Sequence, residues 1–292
     1  MTLACGRQPS PDRAPGPSPL ECHLDFLRRL FQRPDPRAAP LVRLPEGHKI
    51  YAIGDIHGRA DLLVRMAALI EADLKASPAA KPLVILLGDY VDRGLDSRAV
   101  LEHLSKGLFS ADVVHLCGNH ELMLLGFLSD PETAILWRQN GGVETLHSYG
   151  IDVRDFRAGR DFREVAAQFQ AALPAHHLAF LKKTKLSFTS GDYFFCHAGV
   201  RPGIALEQQK EEDLLWIRQE FLQSEANFGK VVVHGHTPVM EPEIHPNRIN
   251  VDTGAYISGR LTALVLEGSD RKFISTTLPT PTLTTPKLTT RM

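Results

Sequence analysis

The chain carries almost no net charge: 33 Lys and Arg face 34 Asp and Glu, leaving −1 over 292 residues. No global field therefore draws it to nucleic acid or to an anionic membrane, and any anion-binding site must be local. Long hydrophobic runs are missing as well. The longest purely aliphatic stretch is residues 83–87, far below the ~20 residues of a bilayer-spanning helix. Residues 1–20 hold no apolar segment, which argues against a secretory signal, and too few residues precede Cys5 for a lipoprotein leader. Cysteine is scarce. Cys5, Cys22, Cys117 and Cys196 form no C-x-x-C pair, so buried reduced thiols are expected rather than a disulfide framework, and with them a cytoplasmic location.

What is present is an ordinary globular composition, with 43% hydrophobic and 23% charged residues. Five prolines fall within residues 7–20, so residues 1–22 are expected to be disordered. Residues 23–32 have the spacing of a short amphipathic helix, with a linker to residue 47. Residues 271–292, rich in Thr and Pro, read as a tail. Between them, residues 48–270 form one block. Strands are predicted at residues 49–53, 83–87, 113–117, 193–196, 230–233, 249–251 and 261–266, each a short apolar or β-branched run. Leu62, Leu63, Met66, Leu69, Ile70 and Leu74 recur at helical spacing, and a second helix follows Asp96, a suitable N-cap. Strands alternating with helices indicate an α/β fold, and residues 122–190 read as a mostly helical insertion.

The polar residues fall at the ends of these strands. Ile53 is followed by Gly54-Asp55-Ile56-His57-Gly58, and Leu87 by Gly88-Asp89-Tyr90-Val91-Asp92-Arg93-Gly94. Cys117 leads into Gly118-Asn119-His120-Glu121, Cys196 into His197-Ala198-Gly199, and Val233 into His234-Gly235-His236-Thr237. Ligands gather at the carboxyl ends of strands in open α/β sheets. Carboxylate, imidazole and amide oxygen without thiolate suit a borderline divalent ion such as manganese, iron or zinc. The donors are too many for one tetrahedral ion and enough for two ions sharing a carboxylate. Two divalent ions bring four positive charges; Asp55, Asp89 and a shared hydroxide offset three. The remainder suits a phosphate.

The succession GDIHG, GDYVDRG, GNHE, HAG and GHT resembles the phosphoprotein phosphatase branch of the calcineurin-like metallophosphoesterases, in its bacterial or phage form. The likeness runs from Gly54 to about Tyr256, and the motifs are specific as a set. It implies two packed mixed β-sheets flanked by helices. It also implies one metal on Asp55, His57 and Asp89, and a second on Asp89, Asn119, His197 and His236. By the same resemblance His120 is the general acid, with Asp92 holding its ring, while Arg93 and Arg218 grip phosphate oxygens. The implied reaction is attack by a metal-bridging hydroxide on phosphoserine or phosphothreonine, and by extension phosphotyrosine, of a protein or peptide partner.

Plainer readings stand beside these. Asp after a strand often caps a helix, Asn119 has the chemistry of a turn residue, and Arg218 lies on an amphipathic stretch where exposed arginine is common. His234 is expected to be packed, and Asp252 either supports the site or forms an Asx turn. Tyr256 and Asn140-Gly141-Gly142 are candidates for the substrate groove. The other histidines read as structural or surface. A symmetrical dinucleoside tetraphosphate hydrolase is the first alternative, disfavoured because such enzymes typically lack the Asp-Arg pair kept here as Asp92-Arg93. A silent binding protein is the second, and it predicts a damaged ligand set that the sequence does not show.

Overall fold

Residue alternation along the strands decides how the layers stack. The computed structural model describes residues 42–276, and the expectations for residues 1–22, for the helix at 23–32 and for the end of the tail lie outside them. In β1 (His48–Ile53), Ile50 and Ala52 point one way and Tyr51 and Ile53 the other; β2 (Lys81–Leu86) repeats this with Ile85 against Val84 and Leu86. In β5 (Tyr193–Cys196) and β6 (Val231–His234), Tyr193, Phe195, Val231 and Val233 join Ile50, Ala52 and Ile85 in one buried layer. That layer is the contact between two sheets. Both faces of the central strands are buried, which explains why they read as continuous apolar runs.

The first sheet has the order β10-β9-β1-β2-β3, with β3 at Asp112–His115, β9 at Thr262–Glu267 and β10 at Asp270–Ser275. Strands β1, β2 and β3 are parallel, and β9 runs antiparallel to β1. The second sheet has the order β4-β5-β6-β8-β7, with β4 at Ser187–Ser190, β7 at Glu243–Ile244 and β8 at Arg248–Asn250. Strands β5, β6 and β8 are parallel. Helices α1 (Ala60–Ala76) and α2 (Ser97–Lys106) cover the first sheet through Leu62, Leu63, Met66, Ile70, Val100, Leu101 and Leu104. The two mixed sheets flanked by helices are the architecture the resemblance implied. Among the described residues, no helix is long and apolar enough to cross a membrane.

Six α-helices lie between β3 and β4: α3 (Asn119–Ser129), α4 (Ala134–Gln139), α5 (Gly142–Ser148), α6 (Arg154–Arg157), α7 (Phe162–Ala172) and α8 (Ala175–Leu181). Phe127, Trp137, Phe156 and Phe169 are wholly buried among them. Truncating any one to alanine is worth about 3–5 kcal/mol.

Four details differ from the sequence reading. The helical stretch stops at Leu181, and residues 187–190 pair as β4 because Tyr193–Cys196 offers an edge. The tail begins later than residue 271: Gly268 turns the chain and β10 pairs with β9 through Ser275, with only Phe273 and Ile274 apolar to announce it. The linker does not extend to residue 47, since Leu44 is buried between the sheets and its N–H donates to the Gly268 carbonyl at 2.9 Å. Asp96 occupies the N-cap of α2 without a side-chain bond, because φ −119° and ψ 35° lie off the extended geometry that aims a cap at the first turn.

Candidate metal centre

The carboxyl ends of β1, β2, β3, β5 and β6 lie together, and the loops leaving them are wound tightly. Among the described residues, six non-glycine residues have positive φ; His57, Asp89, Asp92, Arg93 and His236 are five of them, with Asp161 the sixth. Left-handed backbone at such residues costs free energy and persists where surrounding contacts impose it. Close approach imposes it here. A Cβ on Gly118 would overlap Asp89 Oδ1, and one on Gly235 would overlap Asp55 Oδ1. Glu121, buried in the first turn of α3, accepts the N–H groups of Asp89, Tyr90 and Gly118 at 2.8 Å and of Val91 at 3.3 Å.

Asp89 is central. Its Oδ2 faces three imidazole Nε2 atoms: His197 at 3.4 Å, His57 at 3.5 Å and His120 at 3.8 Å. Burial pushes its pKa up, but the imidazoles hold it well below the usual carboxylate range. His57 Nδ1 lies 2.9 Å from the Val91 carbonyl and His197 Nδ1 2.9 Å from the Leu87 carbonyl. Nδ1–H donates in both, so each Nε2 presents a lone pair. Burial also drives His57 down to about 3 and His236 to about 2, keeping both rings neutral, the state in which imidazole ligates metals.

On the other side, Asn119 Oδ1 is 2.9 Å from both His197 Nε2 and His236 Nδ1, which are 3.1 Å apart. Three acceptor-capable atoms thus face one another. Asp55 Oδ2 accepts the His236 N–H at 3.0 Å, while Asp55 Oδ1 and His236 Nε2 are buried with no partner. Burial, with Asp252 and Asp89 alongside, raises the Asp55 pKa well above its ordinary value; burial likewise raises Asp252 to about 6. Orphaned carboxylate oxygen, crowded carboxylates and lone pairs aimed inward are what a divalent cation would satisfy. The donor set fits such ions.

A second group is held by protein partners around Asp92. His120 Nδ1 lies 2.7 Å from Asp92 Oδ2. Trp137 Nε1–H donates to both Asp92 oxygens at 2.9 and 3.0 Å, and Thr145 Oγ1–H donates to Oδ1 at 2.6 Å. Burial lowers the His120 pKa, yet Asp89 and Asp92 carry it above its ordinary value. Arg93 Nη1–H donates to His57 Nε2 at 3.1 Å, and its guanidinium stacks 4.8 Å from the Tyr256 ring centroid. Arg218 is exposed and donates to Thr237 Oγ1 at 3.3 Å, next to His236.

All ten residues singled out from the sequence come to this one region. Asp252 makes an Asx turn to the Gly254 N–H (2.8 Å) and also stands beside Asp55, so both of its readings describe it. His234 is buried against Phe221, with Nδ1 near the Gly235 carbonyl. Sequence reasoning assigned no role to Glu121, although it sits inside a quoted motif. Trp137 and Thr145 lie 45 and 53 residues from Asp92, and no local signal joins them.

With this geometry in view, similarity to known proteins is informative. The family model of the calcineurin-like phosphoesterase matches residues 48–257. The asymmetrical bis(5′-nucleosyl)-tetraphosphatase PrpE of Bacillus cereus is 25% identical over 256 residues, covering 78% of this chain and 94% of the relative. Serine/threonine-protein phosphatase 1 of Salmonella typhimurium is 27% identical over 219 residues, covering 73% and 89%. A solved structure of a candidate diadenosine tetraphosphatase shares the fold with a TM-score of 0.52 at 18% identity, covering 78% of this chain and 93% of that one. The family model spans most of the described chain and every loop of the site, and on that basis the protein belongs to the calcineurin-like metallophosphoesterases, a family of hydrolases.

Proposed function

We propose that the chain hydrolyses phosphate monoesters on serine and threonine, and by extension tyrosine, of phosphorylated proteins or peptides. The observation that carries this reading is the Asp92-Arg93 pair. Two successive left-handed residues, φ 73° and 67°, send neighbouring side chains opposite ways. Asp92 goes inward to His120, and Arg93 goes outward beside His57. A planar fork next to the cation ligands suits the terminal oxygens of a phosphate monoester.

In this reading Asp55, His57 and Asp89 would hold one divalent ion, and Asp89, Asn119, His197 and His236 would hold the other, with manganese the expected species. Ions bound there supply Lewis acidity and lower the pKa of water toward neutrality. Arg93 and Arg218 orient the phosphoryl oxygens. Water adds to phosphorus as the bond to the seryl or threonyl oxygen breaks, giving the free hydroxyl and inorganic phosphate. His120 donates its Nε2 proton to that leaving oxygen, and Asp92, fixed by Trp137 and Thr145, keeps the ring in place. The buried thiols Cys117 and Cys196 are unpaired, in keeping with a reducing cytoplasm, and neither nucleic acid nor membrane is needed as a partner.

Similarity to PrpE favours a second reading, hydrolysis of a dinucleoside tetraphosphate by the same side chains. A panel of phosphoserine, phosphothreonine and phosphotyrosine peptides beside diadenosine tetraphosphate, with added manganese, separates the two. Higher kcat/KM on phosphopeptides is expected. A strong preference for the dinucleotide reverses the choice; its products then distinguish symmetrical cleavage (two ADP) from asymmetrical cleavage (ATP and AMP). No turnover even of p-nitrophenyl phosphate would revive a silent binding protein.

A further inference from the structure

Arg93 does not stand alone at the edge of the site. It lines a cavity of about 510 Å³ together with Arg138, Asn140, Glu144, Arg157 and Tyr256. Three guanidinium groups thus share one groove with a single carboxylate. The neighbouring arginines of this surface are neutralised: Arg154 pairs with Asp152, Arg160 with Asp155 and Arg163 with Glu132. Among the described residues, Arg93, Arg138 and Arg157 have no carboxylate partner. Arg138 Nη1 donates to the Arg157 carbonyl at 2.6 Å and its Nε is buried without a partner, so its guanidinium is held at the groove by backbone rather than by an anion. The groove is continuous with the metal centre, because Arg93 lies 3.1 Å from His57 and the Tyr256 ring packs edge-on to His57 at 5.2 Å.

We infer that this groove is a subsite for a second anionic group on the substrate: a carboxylate or further phosphate within about two residues of the phosphorylated side chain, a reach of ~7 Å in extended peptide. The inference rests on the phosphoprotein reading and names its substrate class, acidic phosphopeptides. Peptide is favoured over dinucleotide by the groove's lining. Its one aromatic ring, Tyr256, already carries the Arg93 guanidinium over one face and meets His57 edge-to-face, whereas three guanidinium groups are offered to an anion.

The test compares phosphoserine peptides with acidic and with neutral flanks, in the parent and in the double variant Arg138→Gln/Arg157→Gln. Turnover of p-nitrophenyl phosphate, which carries no second anion, reports whether the variant keeps its fold. The parent should prefer the acidic peptide roughly tenfold in kcat/KM, mainly through KM, and added salt should erode that preference. The variant should bring the ratio close to one. A parent without preference, or a variant that keeps it, overturns the inference while leaving the phosphoprotein reading intact. Hydrolysis of diadenosine tetraphosphate with none of either peptide overturns both. If Arg138→Gln disturbs Trp137 and p-nitrophenyl phosphate turnover collapses, Arg157→Gln alone decides, since Arg157 is exposed and its neighbour Arg138 uses only its backbone carbonyl.

Discussion

Two halves of one site are built on opposite terms. Around His120 and Asp92 the hydrogen bonds close among protein groups: imidazole to carboxylate, carboxylate to indole and hydroxyl. Around Asp55, Asn119, His197 and His236 they do not close, and acceptor-capable atoms face each other at 2.9–3.1 Å with Asp55 Oδ1 orphaned. The first half is preorganised by the chain itself. The second reaches its low-energy state when cations are supplied. Under the proposed function, such a site would place its proton donor without metal, yet need metal for charge.

The sharpest way to break that contrast is to cross the two halves. Asp89→Asn removes the carboxylate that faces three imidazoles, and elemental analysis should show loss of at least one ion together with a fall in kcat of roughly 10³-fold or more. His120→Asn should lower kcat by roughly 10²–10⁴ while the ion content stays at the parental level. His120 is only slightly farther from Asp89 than the proposed ligands, so metal content is the decisive readout. Loss of an ion in His120→Asn would make His120 a ligand, and full retention of two ions in Asp89→Asn would end the division into halves.

The same contrast explains what the sequence made legible. Metal-type donors sit within a few residues of a strand end and are flanked by glycine, because the tight approach of Gly118 to Asp89 and of Gly235 to Asp55 demands it. They are local signals. The closed half is held by Trp137 and Thr145, which arrive from two helices of the insertion, and an indole N–H in a helical run has the pattern of any core tryptophan. The fold was readable for the central strands, whose two buried faces give unbroken apolar runs. Edges such as β4, β7 and β10, with half-polar sequences, were not.

A smaller effect sharpens the comparison from the closed side. Trp137→Phe keeps most of the ring packing but removes the donor shared by both Asp92 oxygens. We expect kcat to fall about tenfold with KM and metal content unchanged, as for partners that orient an active group. A residue that only fills the core would lower the unfolding midpoint and leave kcat of the folded enzyme at the parental value. That outcome would return Trp137 to a packing role.

The smallest effect on catalysis should come from the opposite end of the strands, where charge serves stability alone. Lys49, wholly buried at the start of β1, donates to the Ser77 carbonyl (3.1 Å) and pairs with Asp73 (2.9 Å) and Glu267 (3.3 Å). Asp73 also receives Lys272 and the Tyr51 hydroxyl. Burial raises its pKa, but these donors outweigh burial and hold it well below the usual carboxylate range. A depressed folded-state pKa stabilises the protein above the unfolded value near 3.9, and that contribution disappears as pH falls through the folded one. Asp73→Asn should therefore cost about 1–2 kcal/mol near neutral pH, moderated because Lys49 keeps Glu267 and Ser77 and because solvent screens the Lys272 contact. In urea titrations the gap between parent and variant should narrow below pH 4, with kcat on p-nitrophenyl phosphate unchanged at pH 7. A gap that did not narrow at all between pH 5 and pH 2 would show that the variant acts through packing rather than through charge.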